Sequence, residues 1–331
     1  MPSGLLIRLR PVGPWRIGPD SGDRDRVDRI YHSDSLYSAV TSAMSRLEML
    51  DTWLEATARA SEPAVRFSSC FPYVGDTLLV VPPRNLWPPP PSSKVRWKGA
   101  RFVPLDVVKS LAAGKTLSED TWFIDGPSEC LLPFTSPPSP GPFRVAVRSS
   151  AGVDRDGGAV SPHSTACLEF TPGSGLWCVA QFSNDDARDQ WTQPITAAFR
   201  LLADSGFGGK RSQGWGRAEM PEITEGLVEI GTGSDVDRGY WLLSLFHPSD
   251  SDAVDWSQGN YSLTTRGGRV ESDARWGDPK KQTRMVSEGS VLVASTEPRG
   301  AVTDVAPDGF GHPVYRSGFA LAISIPLRTA K

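Results

Sequence analysis

The chain has 331 residues, 39% of them apolar and 22% charged, with a net charge of −3. That is room for two ordinary domains with real cores, and it argues against a generally basic nucleic-acid coat, so any RNA or DNA contact has to come from local patches. Cys70, Cys130, Cys167 and Cys178 stand far apart without a C-x-x-C pair, the histidines are equally scattered, and no run approaches the ~20 apolar residues of a membrane span. The expectation is a cytoplasmic protein with free thiols, no zinc, no cofactor and no membrane contact.

In chain order, Gly4 to Pro11 sets Leu5, Ile7 and Leu9 against Leu6, Arg8 and Arg10, which predicts a strand covered mainly on one side. Residues 12–31 predict a loop. Leu36, Val40, Ala43, Met44, Leu47 and Leu50 recur at helical spacing behind His32-Ser33-Asp34-Ser35, whose Ser and Asp oxygens can accept the free N–H groups of a first turn. His32 at that entrance suits a general base or an RNA contact. A histidine with no second acid or base in sequence reach suits a structural or capping role as well. His32 and Ser33 are carried as candidate RNA-binding positions.

Val65–Tyr73 and Thr77–Pro82 predict two short strands joined at Gly75-Asp76. From Pro82 to Pro142 lie 13 of the 29 prolines, so this stretch predicts an insertion extended over a surface and not a regular core element. Within it Lys94, Arg96, Trp97, Lys98 and Arg101 make a basic and aromatic patch; a solvated loop and an arm lying along RNA fit it equally.

Phe143–Arg148, Ala166–Phe170 and Leu176–Phe182 predict strands, the last two a hairpin through residues 171–175. Asn184-Asp185-Asp186 can cap a helix with Trp191, Ile195, Ala198, Phe199 and Leu202 on one face. Pro194 implies a kink or a fresh start, and Gly206 falls at the C′ position. A strand over 218–223 completes a ferredoxin-like βαββαβ plan for residues 1–225, with the insertion at about 82–142. Beyond it, Tyr240–Phe246, Tyr261–Val270, Met285–Ser295 and Phe319–Ile325 predict strands of a second block over 226–331. Arg266 at an Arg-Gly-Gly-Arg tip and the cluster Lys280, Lys281 and Arg284 add basic positions; a solvated charge run is the commoner fate of such a cluster.

One stretch is unlike the rest. Ser205 to Arg217 holds five glycines and three cations and no acid. Its candidate RNA-binding residues are Gly206, Phe207, Gly208, Gly209, Lys210, Arg211, Ser212, Gln213, Gly214 and Trp215. Glycine permits φ > 0 and close backbone approach, the cations suit phosphates, and Phe207 and Trp215 offer faces to a base. A P-loop is excluded by Asp204 and Arg211 in its required Gly and Ser/Thr slots, and a dinucleotide fingerprint by Arg211 in its third glycine slot. A flexible loop whose glycines merely end a helix is the alternative.

The residues His32-Ser33-Asp34-Ser35-Leu36-Tyr37-Ser38-Ala39, Phe71-Pro72-Tyr73, Gly206–Gly216, Leu243-Ser244-Leu245-Phe246, Arg266-Gly267-Gly268, Glu288-Gly289-Ser290-Val291 and His312–Gly318 span essentially the whole chain. Together they resemble the RAMP superfamily of CRISPR proteins, most closely the family of the fourth Csm subunit of type III-A effector complexes. The resemblance implies an α+β fold of two tandem ferredoxin-like (RRM-like) domains, the first with a long proline-rich thumb-like insertion. It implies a non-catalytic scaffold that holds the 5′ handle of crRNA and bridges the large polymerase-like Cas subunit to a neighbouring backbone RAMP subunit, with target RNA nearby. In that reading N–H groups around Gly208 and Gly209, with Lys210 and Arg211, hold handle phosphates while the 82–142 insertion wedges the RNA. The alternatives are a metal-independent RAMP endoribonuclease with His32 as general base, and a protein-only assembly module.

Overall fold

The computed structural model describes residues 3–19, 23–135, 140–153, 160–230, 238–271 and 276–327; parts of the predicted 12–31 loop and of the 82–142 insertion lie outside the described residues. The chain opens with β1 (Ser3–Leu9), α1 (Ser33–Arg46), α2 (Leu50–Ala56), β2 (Val65–Phe67), β3 (Phe71–Val74) and β4 (Thr77–Val80). The insertion holds β5 (Val103–Pro104), α3 (Leu105–Ala112), β6 (Trp122–Asp125) and β7 (Cys130–Pro133). Then come β8 (Phe143–Val153), β9 (Val160–Phe170), β10 (Ser174–Phe182), α4 (Asp185–Ser205) and β11 (Glu222–Glu225).

These make an α+β unit around an antiparallel sheet of order β11-β1-β10-β3-β4-β5, with β2 also on β10. Alternation places β1: Leu5, Ile7 and Leu9 are buried while Leu6 and Arg8 keep partial exposure. The continuous apolar run of β10 is buried along nearly its whole length, as a central strand requires, and pairs Ile7 with Cys178. Helices α1 and α4 pack together, α4 bringing Trp191, Ile195, Ala198, Phe199 and Leu202 to the core. Asn184 caps α4, its side chain accepting from the Ala187 N–H at 2.8 Å, and α4 runs through Pro194 as one element.

The second block holds β12 (Arg238–Leu242), β13 (Val254–Asn260), β14 (Leu263–Arg266), β15 (Arg269–Glu271), β16 (Trp276–Pro279) and β17 (Thr283–Val286). It ends with β18 (Val291–Ala294), β19 (Val302–Asp304), β20 (Tyr315–Ser317) and β21 (Ala322–Pro326). Its sheet runs β13-β18-β12-β21, and no helix occurs among the described residues from 238 on. The two blocks share one core: Trp241, Leu243, Val291, Phe319, Leu321 and Ile325 belong to the same apolar cluster as β1, β10, α1 and α4.

The structure corrects several expectations. The insertion is not extended over a surface: Val95, Trp97, Phe102, Val103, Val108, Leu131 and Leu132 join the main core. Proline forbids long regular elements there, but it does not forbid burial of the apolar residues between the prolines. The predicted hairpin over 166–182 does not form. Strand β9 pairs with β8, from Phe143 with Phe170 to Val153 with Val160, while β10 enters the sheet between β1 and β3. The resulting β8–β9 ribbon is anchored at its base by buried Thr165, Ala166, Cys167 and Leu168, and residues 147–152 and most of 160–164 are exposed. The strand expected over 285–295 is two, β17 and β18, turned at Gly289, whose φ of 79° and close approach to Val81 leave no room for a Cβ.

Candidate nucleic-acid interface

The glycine-rich turn is half buried and half presented. Gly206 ends α4 with φ 94°, Gly208 has φ 69° and Gly216 φ 79°. A Cβ on these three would lie 2.5 Å from the Trp215 carbonyl, 2.4 Å from the Arg16 carbonyl and 1.9 Å from the Phe207 carbonyl. Close backbone approach is thus what they provide, but the backbone is the protein's own. Phe207 is 1% exposed and stacks on Trp15, ring centroids 5.0 Å apart, with Tyr31 edge-on. Its ring is therefore no face for a base, a correction to the sequence reading. The Gly209 N–H donates to the Arg16 carbonyl at 2.8 Å. The expectation that the Gly209 N–H meets phosphate is corrected with it.

What faces solvent is the tip. Lys210 takes the left-handed conformation at φ 63°, Gly214 likewise at 78°, and between them Arg211 to Gln213 form one tight turn. Ser212, Gln213 and Gly214 are exposed, and Lys210, Arg211 and Trp215 are partly so. One hub joins this turn to the ribbon: Trp15 exchanges main-chain hydrogen bonds with Leu168 of β9 at 3.0 and 2.8 Å, while Arg16 receives Gly209. The turn and the ribbon base therefore occupy one region of the surface.

The other predicted positions do not gather there. Ser33 is buried; its N–H donates to Ser69 Oγ at 2.8 Å and its Oγ accepts from the Leu245 N–H at 3.0 Å. His32, also buried, has Nδ1 at 2.7 Å from Glu288 Oε1 and Nε2 at 3.0 Å from Asp28 Oδ2. Burial opposes its charge, yet the Glu288 and Asp28 carboxylates prevail and push the His32 pKa up to about 10. Burial likewise disfavours charge on both acids, but the imidazolium holds them below the usual carboxylate range. Arg266, 5% exposed, grips both Asp34 carboxylate oxygens at 3.0 and 3.1 Å. Ser33, His32 and Arg266 are thus joints between the two blocks, placed by contacts more than 200 residues away in sequence.

In the insertion Trp97 is 5% exposed and packs edge-on with Trp87, so it too is no stacking face, while Lys94 pairs with Asp120. Arg96 and Lys98 are exposed on either side. Lys281 pairs with Asp308 at 2.8 Å, Lys280 is partly exposed, and Arg284 stands exposed on β17. Sequence reasoning missed Trp15 and Arg16, which hold the turn, and Asp28, Asp34 and Glu288, which hold the joints. Glu288 lay inside a quoted motif, but nothing in the sequence marks it as the partner of a histidine 256 positions away.

The class these features define is an α+β protein with two larger antiparallel sheets, a glycine-rich turn after α4 and an exposed two-stranded ribbon. Residues 236–325 match the family model for the CRISPR Csm4 C-terminal domain. The chain is 26% identical over 333 residues to the CRISPR system Cms protein Csm4 of Thermococcus onnurineus (strain NA1), covering 98% of this chain and 99% of that one. It matches a chain of the Csm3-Csm4 subcomplex of the type III-A CRISPR-Cas interference complex at a TM-score of 0.65 and 16% identity, over 98% of this chain and 99% of that chain. It also matches a chain of the Csm1-Csm4 cassette in complex with cA4 at 0.60 and 17%, over 99% of this chain and all of that one. Over its full length the chain is thus similar to Csm4 proteins, and residues 236–325 match that family's C-terminal domain.

Proposed function

We propose that the chain is an RNA-holding scaffold subunit of a type III-A Csm interference complex. It grips the 5′ handle of crRNA and bridges the large polymerase-like subunit to a backbone RAMP subunit in the cytoplasm. The full-length likeness to chains of both a Csm1-Csm4 and a Csm3-Csm4 assembly supports the two protein partners. The observation that carries the RNA reading is the cationic tip at Lys210–Gly214 beside the base of the β8–β9 ribbon. The tip supplies charge to a phosphate backbone, and the exposed ribbon, with Val147 at 59% and Val160 at 63%, supplies apolar side chains that can part stacked bases. The ribbon takes the wedge role here; the folded insertion does not. In fold terms the reading is two ferredoxin-like units: the first has the order β11-β1-β10-β3 flanked by α1 and α4, and the second keeps that strand order with loops for helices.

An endoribonuclease run by His32 has poor support. Both ring nitrogens are engaged, and an imidazolium cannot take a proton from a 2′-hydroxyl. The test is to purify the tagged chain from cells carrying a type III-A locus, with and without Lys210→Ala/Arg211→Ala. Short RNA with a constant 5′ segment and the large subunit are expected to copurify with the wild type, and the RNA to be depleted by the double variant. Equal RNA recovery with both would remove the tip from the interface, and repeat-RNA cleavage in EDTA that His32→Ala abolishes would replace the scaffold with the enzyme.

A further inference from the structure

Arg16 is 9% exposed, and among the described residues its guanidinium meets four main-chain carbonyls. Nη1 donates to Ala166 at 2.9 Å and to Arg24 and Arg26 at 3.2 Å each, and Nη2 donates to Asp23 at 2.7 Å. Three of these carbonyls, on Asp23, Arg24 and Arg26, tie one fork to residues 23–26, a segment with no helix or strand of its own. The same residue touches both halves of the candidate interface. Its carbonyl receives Gly209, and its stem passes the Gly209 α-carbon so closely that a Cβ there would sit 3.5 Å from Cγ and Cδ. On the other side Ala166 of the ribbon, whose carbonyl takes Nη1, donates its N–H to the Arg24 carbonyl at 2.8 Å.

A single side chain therefore spans from the glycine turn to the ribbon base, and the segment it pins carries Arg24 and Arg26 exposed. The geometry points to residues 23–26 as a further contact for a single-stranded RNA backbone, with Arg24 and Arg26 meeting phosphates and Arg16 as the positioning residue that sets them in line with Lys210. This rests on the RNA-holding reading above and names a part of the interface that neither the turn nor the ribbon supplies. Asp23 and Asp25 alternate with the two arginines, so the segment attracts phosphate through placed contacts and not through a net field.

The test measures binding of the full chain to a labelled single-stranded RNA oligonucleotide by fluorescence anisotropy over a series of KCl concentrations. Each phosphate contact to a single strand contributes about 0.7 to the slope of log K against log [KCl], so Arg24→Gln/Arg26→Gln should lower the slope by about 1.4. Arg16→Met, which keeps the stem but removes the fork, should lower it comparably and add nothing in the double-variant background. Arg16→Lys should not rescue, because one ammonium cannot replace the planar fork on four carbonyls. Should Arg16→Met unfold, the double variant alone decides the contact, since both its side chains are exposed. A wild-type slope that survives Arg24→Gln/Arg26→Gln overturns this inference and leaves the RNA reading standing. Absence of salt-dependent RNA binding by the wild type overturns both.

Discussion

At the scale of single residues, the glycines of one turn do different work and should respond differently to a methyl group. Gly216 and Gly214 have nearly the same φ, 79° and 78°, so the left-handed strain of an alanine is common to both, about 1 kcal/mol. At Gly214 nothing lies within 4 Å of the new Cβ, whereas at Gly216 it would sit 1.9 Å from the Phe207 carbonyl. Gly214→Ala should therefore cost about 1 kcal/mol, and Gly216→Ala about 3 kcal/mol or more as the Phe207–Trp15 stack is forced apart. Urea midpoints of the two variants check this; equal losses would mean that the turn is not packed as described. The contrast also shows what the sequence could disclose here. Five glycines in a short span announced special backbone and close approach, and the structure has both. What they approach is Arg16 and Phe207, and that depends on residues 14–16 arriving from the other end of the chain.

At the scale of elements, α1, α4 and strands such as β1, β4, β10 and β12 were legible because apolar period is a local signal, while α2 and α3 were not. Which strand pairs with which was not legible either. β9 and β10 read alike in sequence, and only the burial of nearly all of β10 assigns one to the sheet and leaves the other to the ribbon. The start of α1 repeats the lesson. His32, carried as a candidate RNA-binding position beside a structural role, takes the structural one: a charged joint from the start of α1 to the turn between β17 and β18 through Glu288. Because its folded pKa is raised from 6.5 to about 10, the joint stabilises fully below pH 6.5 and its contribution fades as pH rises towards 10. Asp28 and Glu288, held low, contribute above their ordinary range near pH 4 and lose it as pH falls. Stability should thus peak at about pH 5–6.5 and decline on the alkaline side. His32→Gln, which leaves two buried carboxylates without their cation, should cost about 3 kcal/mol at pH 6 and flatten that decline. Urea unfolding of both proteins from pH 6 to 9.5 measures it; parallel pH profiles would show that His32 carries no charge in the fold.

At the scale of the whole molecule, length suggested two domains, and the chain does form two larger sheets, but the apolar core does not divide with them. Trp241, Leu243, Val291, Leu321 and Ile325 of the second block pack into the cluster that contains β10 and α1, and the Trp241 indole N–H donates to the Val81 carbonyl at 3.2 Å. The cluster that belongs to the second block alone is small: Leu242, Phe246, Val286, Leu292 and Ala320. No helix among the described residues of 238–327 covers the inner face of its sheet, so the first block supplies that cover. The excised segment 238–327 would expose Trp241, Leu321 and Ile325 to water, each losing about 1.5–3 kcal/mol of burial, against a net stability that for a domain of this size is only about 5–10 kcal/mol. Expressed alone it should give no sigmoidal urea transition and poor amide dispersion. The whole chain should unfold with coincident tryptophan-fluorescence and circular-dichroism transitions. A cooperative transition from the segment alone, or two separated transitions from the whole chain, would show that the sheets hold separate cores after all. The His32–Glu288 and Asp34–Arg266 contacts would then be links between independent domains, and removing one would change their relative orientation without changing the stability of either.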